Sequence, residues 1–130
     1  VSYQFDEEKS TEEQLNDIAY KEIEILYQTY GISLARTIVM EFLRQPDMAK
    51  NLIKNIYSIR AITQWFNAAI EAGRLKNVDS KLMTDVYVSL FQGLFFWPQV
   101  MNLDTEPTGD AVKSKVDTVT SIFIQSYGIK

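Results

Sequence analysis

The sequence predicts an all-α protein, an antiparallel bundle of five helices. Apolar residues recur at helical spacing along most of the chain, and no segment alternates cleanly between apolar and polar side chains. Five Gly and three Pro in 130 residues are too few for a turn-rich β-sandwich. Capping residues divide the apolar stripes at short intervals, which is typical of helices that pack as antiparallel neighbours.

The first two helices are defined by their capping signals. Ser10 and Glu13 have the spacing of a capping box, so the first helix is predicted to begin there. Its apolar stripe runs to Gly31, a residue that can end a helix with a positive φ. The second helix covers about 32–44 and stops before Pro46, because the residue preceding a proline avoids the α region.

The third and fourth helices are the longest predicted elements. The third extends from about 46 to 72 and ends at Gly73. Asp79 is a favourable N-cap for the fourth helix, which extends to about residue 101. Pro98 is expected to bend that helix near its end, because proline removes a hydrogen bond and crowds the preceding turn.

The fifth helix is predicted over about 110–127, after a polar loop. The uncharged run from Val86 to Leu103 is long enough to raise the question of a membrane span. Its polar residues fall on one narrow side of a helix: Ser89, Gln92, Gln99 and Asn102. We therefore predict a water-exposed edge on a largely buried helix and no membrane partner.

Composition excludes several classes of function. The chain has no Cys and no His, which removes disulfides, thiolate nucleophiles, Cys- or His-ligated metal and the Ser-His-Asp triad. We therefore predict no catalytic residues, no metal site and no cofactor. The net charge is −4, and the basic residues of the middle third stand singly rather than in a cluster. This pattern disfavours direct DNA binding by these residues.

The predicted fourth helix has an apolar arc of roughly 240°, too wide for a helix that covers one side of a core. A symmetric dimer through the last two helices would cover the excess apolar surface. The residues predicted at this homodimer interface are Val86, Leu90, Gly93, Trp97, Val112, Val116, Val119 and Phe123. The alternative is a monomer in which the fourth helix is central and fully buried.

One segment resembles a known family. Residues 65–79 read WFNAAIEAGRLKNVD and lead into a helix that contains Gly93. This run and the order of the five helices are similar to the C-terminal regulatory domain of TetR-family transcriptional regulators. The resemblance implies a cytoplasmic homodimer that is usually a repressor, with a helix-turn-helix domain for DNA and a bundle that binds a small-molecule effector.

The resemblance also implies a division of the chain. Residues 1–9 are a lead-in from an N-terminal DNA-binding domain that this sequence lacks, and residues 10–130 form the effector-binding and dimerisation domain. DNA is then a partner only through the absent domain.

Inward-facing aromatic residues supply the pocket hypothesis, since ligand sites have apolar walls with a few polar groups. The candidate ligand-binding residues are Tyr27, Phe42, Tyr57, Ile59, Thr63, Phe66, Tyr87 and Phe91. Alternatively, these side chains only fill the core. Glu41 interrupts an apolar run, and it either recognises a cationic ligand or faces solvent.

The function expected from these observations is effector binding and dimerisation in a TetR-like repressor that a small hydrophobic or aromatic ligand releases from DNA. One alternative is a stand-alone helical carrier of a hydrophobic small molecule. Another is a small helical enzyme that uses carboxylates or Tyr.

Overall fold

The computed structural model describes residues 2–47, 50 and 59–129, and these are all-helical apart from loops and one isolated β-bridge. The elements are α1 (Thr11–Glu24), a π-helical segment (Ile25–Tyr30), α2 (Ile32–Arg44), α3 (Ile59–Glu71), α4 (Ser80–Phe95), α5 (Trp97–Val100) and α6 (Asp110–Tyr127). The all-α prediction is confirmed. Residues 46, 47 and 50 of the predicted third helix are helical as well, whereas 48–49 and 51–58 lie outside the described residues.

The predicted caps hold the helix ends. The Ser10 hydroxyl accepts a hydrogen bond from the Glu13 N–H at 3.1 Å, and the Asp79 carboxylate accepts one from the Lys81 N–H at 3.0 Å. Gly73 has φ 76° at the end of α3. Its N–H and the next one donate back into the last turn of the helix, the pattern of a Schellman motif.

The first predicted helix is not uniform. It is α-helical to Glu24 and then π-helical over Ile25–Tyr30, and the Gly31 N–H closes the segment on the Leu26 carbonyl at 2.8 Å. A π turn contains more residues than an α turn. The residues that face the core in this segment therefore no longer follow the α-helical spacing. Gly31 has φ 86°, in agreement with the prediction of a positive-φ helix end.

The fourth predicted helix is broken rather than bent. Helix α4 ends at Phe95, the backbone is distorted at Phe96 with φ −116° and ψ −66°, and α5 begins at Trp97. Pro98 explains the break, because it lacks an N–H and its ring would collide with the Leu94 carbonyl. Within the described ranges, no helix is long and apolar enough to cross a membrane.

An aromatic cluster joins α3, α4 and α6. The rings of Phe66 and Phe123 stack with centroids 5.1 Å apart, and the edge of Tyr87 meets Phe123 at 5.5 Å. Val116, Val119 and Phe123 are at most 1% exposed within a single chain. Their predicted place at a dimer interface is therefore wrong, because the apolar stripe of α6 faces its own core.

Residues 2–9, here called the N-terminal segment, pack against the bundle. The side chain of Gln14 exchanges two hydrogen bonds with the backbone of Asp6, at 2.8 and 2.7 Å. Phe5 meets Trp65 edge-on at 5.6 Å. Arg74 lies over the Phe5 ring and donates to the backbone carbonyls of residues 7 and 9. The segment is thus attached to α1, α3 and the loop after α3.

Truncating Phe123 tests the aromatic cluster. Because the ring is fully buried, we expect Phe123→Ala to lower the free energy of unfolding by about 3–5 kcal/mol. Urea denaturation followed by circular dichroism measures this value. The matched control is Gln125→Ala, an exposed position on the same helix, expected to change it by less than about 0.5 kcal/mol. Equal stabilities for the two variants would contradict the core position of Phe123.

Candidate functional site

A small apolar cavity lies between α1, the π-helical segment, α3 and α4. Its volume is about 30 Å³, and it is lined by Glu22, Ile25, Leu26, Ile62, Tyr87, Val88 and Phe91. Glu22 is the one charged group among these lining residues. The rest of the wall is aliphatic or aromatic, which is the usual composition of a small-molecule site.

Two of the predicted ligand-binding residues, Tyr87 and Phe91, line this cavity. The Tyr87 hydroxyl is buried and donates to the Leu15 carbonyl at 3.3 Å. Burial raises the pKa of this hydroxyl, and the negative charge of Glu22 raises it further. Tyr87 therefore stays protonated and presents its ring, rather than a phenolate, to the cavity.

The other predicted residues lie elsewhere. Phe66 is fully buried in the aromatic cluster, and Phe42 and Ile59 are exposed at the surface. Thr63 bonds the Thr84 hydroxyl at 2.7 Å and so joins α3 to α4. Tyr57 lies outside the described residues.

Tyr27 does not line the cavity, and its hydroxyl instead joins two elements of the fold. Its hydroxyl donates to the Phe95 carbonyl at 2.6 Å, where α4 ends and the helix would otherwise leave that carbonyl unpaired. Burial, followed by the charges of Glu106 and Asp104, raises the pKa of Tyr27, so the hydroxyl remains a donor. Tyr27 ties the π-helical segment to the break in the predicted fourth helix.

Arg36 reinforces the same region from α2. Its guanidinium donates to the carbonyls of Val100 and Gln99, each at 3.0 Å, and so caps the C-terminal end of α5. The side-chain oxygen of Gln99 is buried without a hydrogen-bond partner within the described structure. Helix α5 has only four residues, and the contacts from α2 hold it in place.

Glu41 is a surface residue. Both its carboxylate oxygens accept from one Arg44 nitrogen, at 2.9 and 2.8 Å, one turn along α2. This ion pair matches the solvent-facing alternative of the sequence analysis. The acidic residue that lines the cavity is Glu22, which is not among the ligand-binding residues predicted from the sequence.

The cavity is too small for most ligands as it stands. About 30 Å³ suits a single water molecule, whereas ligand sites usually measure about 300–1,000 Å³. A ligand would have to displace side chains or move the surrounding helices. Occupancy and helix packing are therefore coupled at this position.

A second feature is an exposed apolar face on α4 and α5. Leu82 and Trp97 are 58% and 45% exposed, and Gly93 lies between them on the surface. Val86, Leu90 and Val112 are half-buried. Five of the eight predicted interface residues thus remain accessible to a partner.

Comparison with known proteins identifies the fold. The sequence-family model of the AefR-like transcriptional repressor C-terminal domain matches residues 13–129. A solved TetR family transcriptional regulator from Pseudomonas syringae pv. tomato str. DC3000 superposes with a TM-score of 0.82 at 24% identity. The match covers 98% of this chain and 66% of that one. No curated protein gives a significant match.

Removing the Tyr27 hydroxyl tests the attachment at the end of α4. Tyr27→Phe leaves the Phe95 carbonyl without its donor, so we expect the free energy of unfolding to fall by about 1–2 kcal/mol. Tyr30→Phe, in the same segment but exposed, should change it by less than about 0.5 kcal/mol. Urea denaturation measures both variants, and a loss of equal size in each would contradict this role.

Proposed function

The chain belongs to the AefR-like transcriptional repressor C-terminal domain family, and from this premise we propose that it is the effector-binding and dimerisation part of a TetR-like repressor. The family is one of transcriptional regulators, and its members regulate rather than catalyse. We assign this chain to the bacterial cytoplasm, with a small hydrophobic or aromatic molecule as the ligand that releases the repressor from DNA.

DNA reading is assigned to a domain that precedes these residues in a longer protein. The chain spans 66% of the length of the solved regulator it resembles, which leaves room there for another domain. The dispersed bases of the middle third also favour a separate DNA-binding element. The N-terminal segment would connect that element to the bundle.

The effector is assigned to the apolar cavity. Its walls come from four elements, so a ligand that enlarges the cavity changes how α1 and the π-helical segment pack on α3 and α4. Such a ligand shifts the population toward the packing that it fits best. The effect on DNA affinity is limited by the difference in ligand affinity between the two packings.

Dimerisation is assigned to the exposed face of α4 together with α6. A Cβ atom added at Gly93 would have no atom within 4 Å in the monomer, so this surface is open. A residue without a side chain lets a second helix approach closely. On α6, the small exposed residues that would take part are Ser114, Thr118 and Ser121.

An operator gel shift of the longer protein tests the regulatory function. Small apolar compounds are first screened for those that raise the melting temperature of this 130-residue chain. We expect such a compound to weaken operator binding by about 5–150-fold, the usual range of allosteric coupling. A compound that stabilises the chain but leaves operator affinity unchanged would contradict the proposal, and one that strengthens operator binding would refute release by effector.

Substituting Gly93 tests the dimer face. Gly93→Arg places two like charges at a close helix crossing, so we expect the dimer dissociation constant to rise by about a hundredfold. The monomer should remain folded, because the position is open and Arg favours a helix more than Gly does. Sedimentation velocity distinguishes a 15.0 kDa monomer from a dimer of twice that mass.

The matched control for this experiment is Gln64→Arg, which adds the same charge at an exposed position of α3. It should sediment like the wild type. Dimers of equal strength in both variants would place the interface elsewhere, and a monomeric wild type at micromolar concentration would refute dimerisation.

A further inference from the structure

The charged group at the cavity has a second contact that the regulatory function does not explain. Glu22 is half-buried in α1, and its Oε2 accepts a hydrogen bond from the Tyr3 hydroxyl at 2.5 Å. Tyr3 belongs to the N-terminal segment. Glu22 therefore lines the candidate ligand site and also bonds the part of the chain that leads out of the bundle.

The surroundings of Glu22 favour a positively charged ligand group. The cavity wall beside it is apolar, and charges attract more strongly near such a wall than in water. A carboxylate also forms stronger hydrogen bonds to a charged donor than to a neutral hydroxyl such as that of Tyr3. Tyr87 lines the same cavity, and after burial the negative charge of Glu22 is the second cause that raises the pKa of its hydroxyl.

The attachment of the N-terminal segment depends on a few side chains. Besides the bond between Tyr3 and Glu22, the segment is held by Gln14, by the contact of Phe5 with Trp65, and by Arg74. Among these described contacts, the first involves a residue that lines the cavity. A ligand that takes over the Glu22 carboxylate would remove it and leave the others in place.

We propose that Glu22 selects ligands that carry a protonated amine on an apolar body, and that the ammonium group displaces the Tyr3 hydroxyl and loosens the N-terminal segment. This inference rests on the proposed effector function. It adds the chemical class of the ligand and the first contact that changes on binding.

Affinity measurements with three matched probes test the selection. Phenylpropylammonium, phenylpropanol and phenylpropionate share an aromatic body and differ in charge. Isothermal titration of the 130-residue chain should show the ammonium binding about tenfold or more tighter than the alcohol, with the carboxylate weakest. Glu22→Gln should reduce the preference for the ammonium over the alcohol to within about twofold.

The matched control is Glu24→Gln, which removes a carboxylate from an exposed position of the same helix. It should keep the full preference for the ammonium. Binding of all probes without preference would overturn the inference and leave an effector site intact. A preference that survives Glu22→Gln would overturn the role of Glu22. No binding of any probe at about 1 mM would count against the cavity as an effector site, and so against the proposed function itself.

Amide hydrogen exchange tests the displacement of Tyr3 independently. The Asp6 N–H is protected by the side chain of Gln14, so it reports on the N-terminal segment. Saturating phenylpropylammonium should speed exchange in residues 2–9 by about threefold or more, while Tyr3→Phe should show that faster exchange without the probe. Unchanged exchange in the saturated wild type would refute the displacement.

Discussion

Helix α4 carries apolar side chains on two sides, and the rest of the domain is arranged around this helix. On one side, Met83, Tyr87 and Phe95 are buried against the neighbouring helices. On the other side, Leu82 and Gly93 are exposed, next to the exposed Trp97 at the start of α5. The same helix therefore supplies part of the core, one wall of the cavity and the face assigned to a second subunit. A rotation of α4 would alter all three at once, which is a physical basis for coupling between ligand and assembly.

The cavity is tightly packed inside, but some of the elements around it are held by few contacts. Its interior is close to full, so a ligand cannot enter without moving something. The elements around it differ in how firmly they are held. Helices α3 and α4 meet α6 through buried aromatic rings, whereas the described contacts of the π-helical segment and of residues 2–9 include hydrogen bonds from single side chains. Ligand-driven movement is expected at these less firmly held elements.

The sequence predicts the helix caps correctly but not the contacts between helices. The caps at Ser10 and Asp79 follow from residue type and spacing, so the sequence located those helix ends correctly. Helical periodicity shows that the stripe through Val119 is buried but not which surface buries it, and the stripe was assigned to a partner. Glu22 was missed for a related reason. Its role depends on Tyr3, far away in sequence, and on the π-helical segment, which a period of 3.6 residues cannot reveal.

The π-helical segment has a consequence for how the chain tolerates changes in length. It accommodates extra residues in a turn whose ends are fixed by α1 and by Gly31. A one-residue deletion within Ile25–Tyr30 would allow this stretch to continue as a regular α-helix, while the helices before and after it keep their positions. A deletion inside α1 would instead rotate every following side chain by about 100° and take Ile25 and Leu26 away from the core. Related sequences that differ in length are therefore expected to differ at this turn.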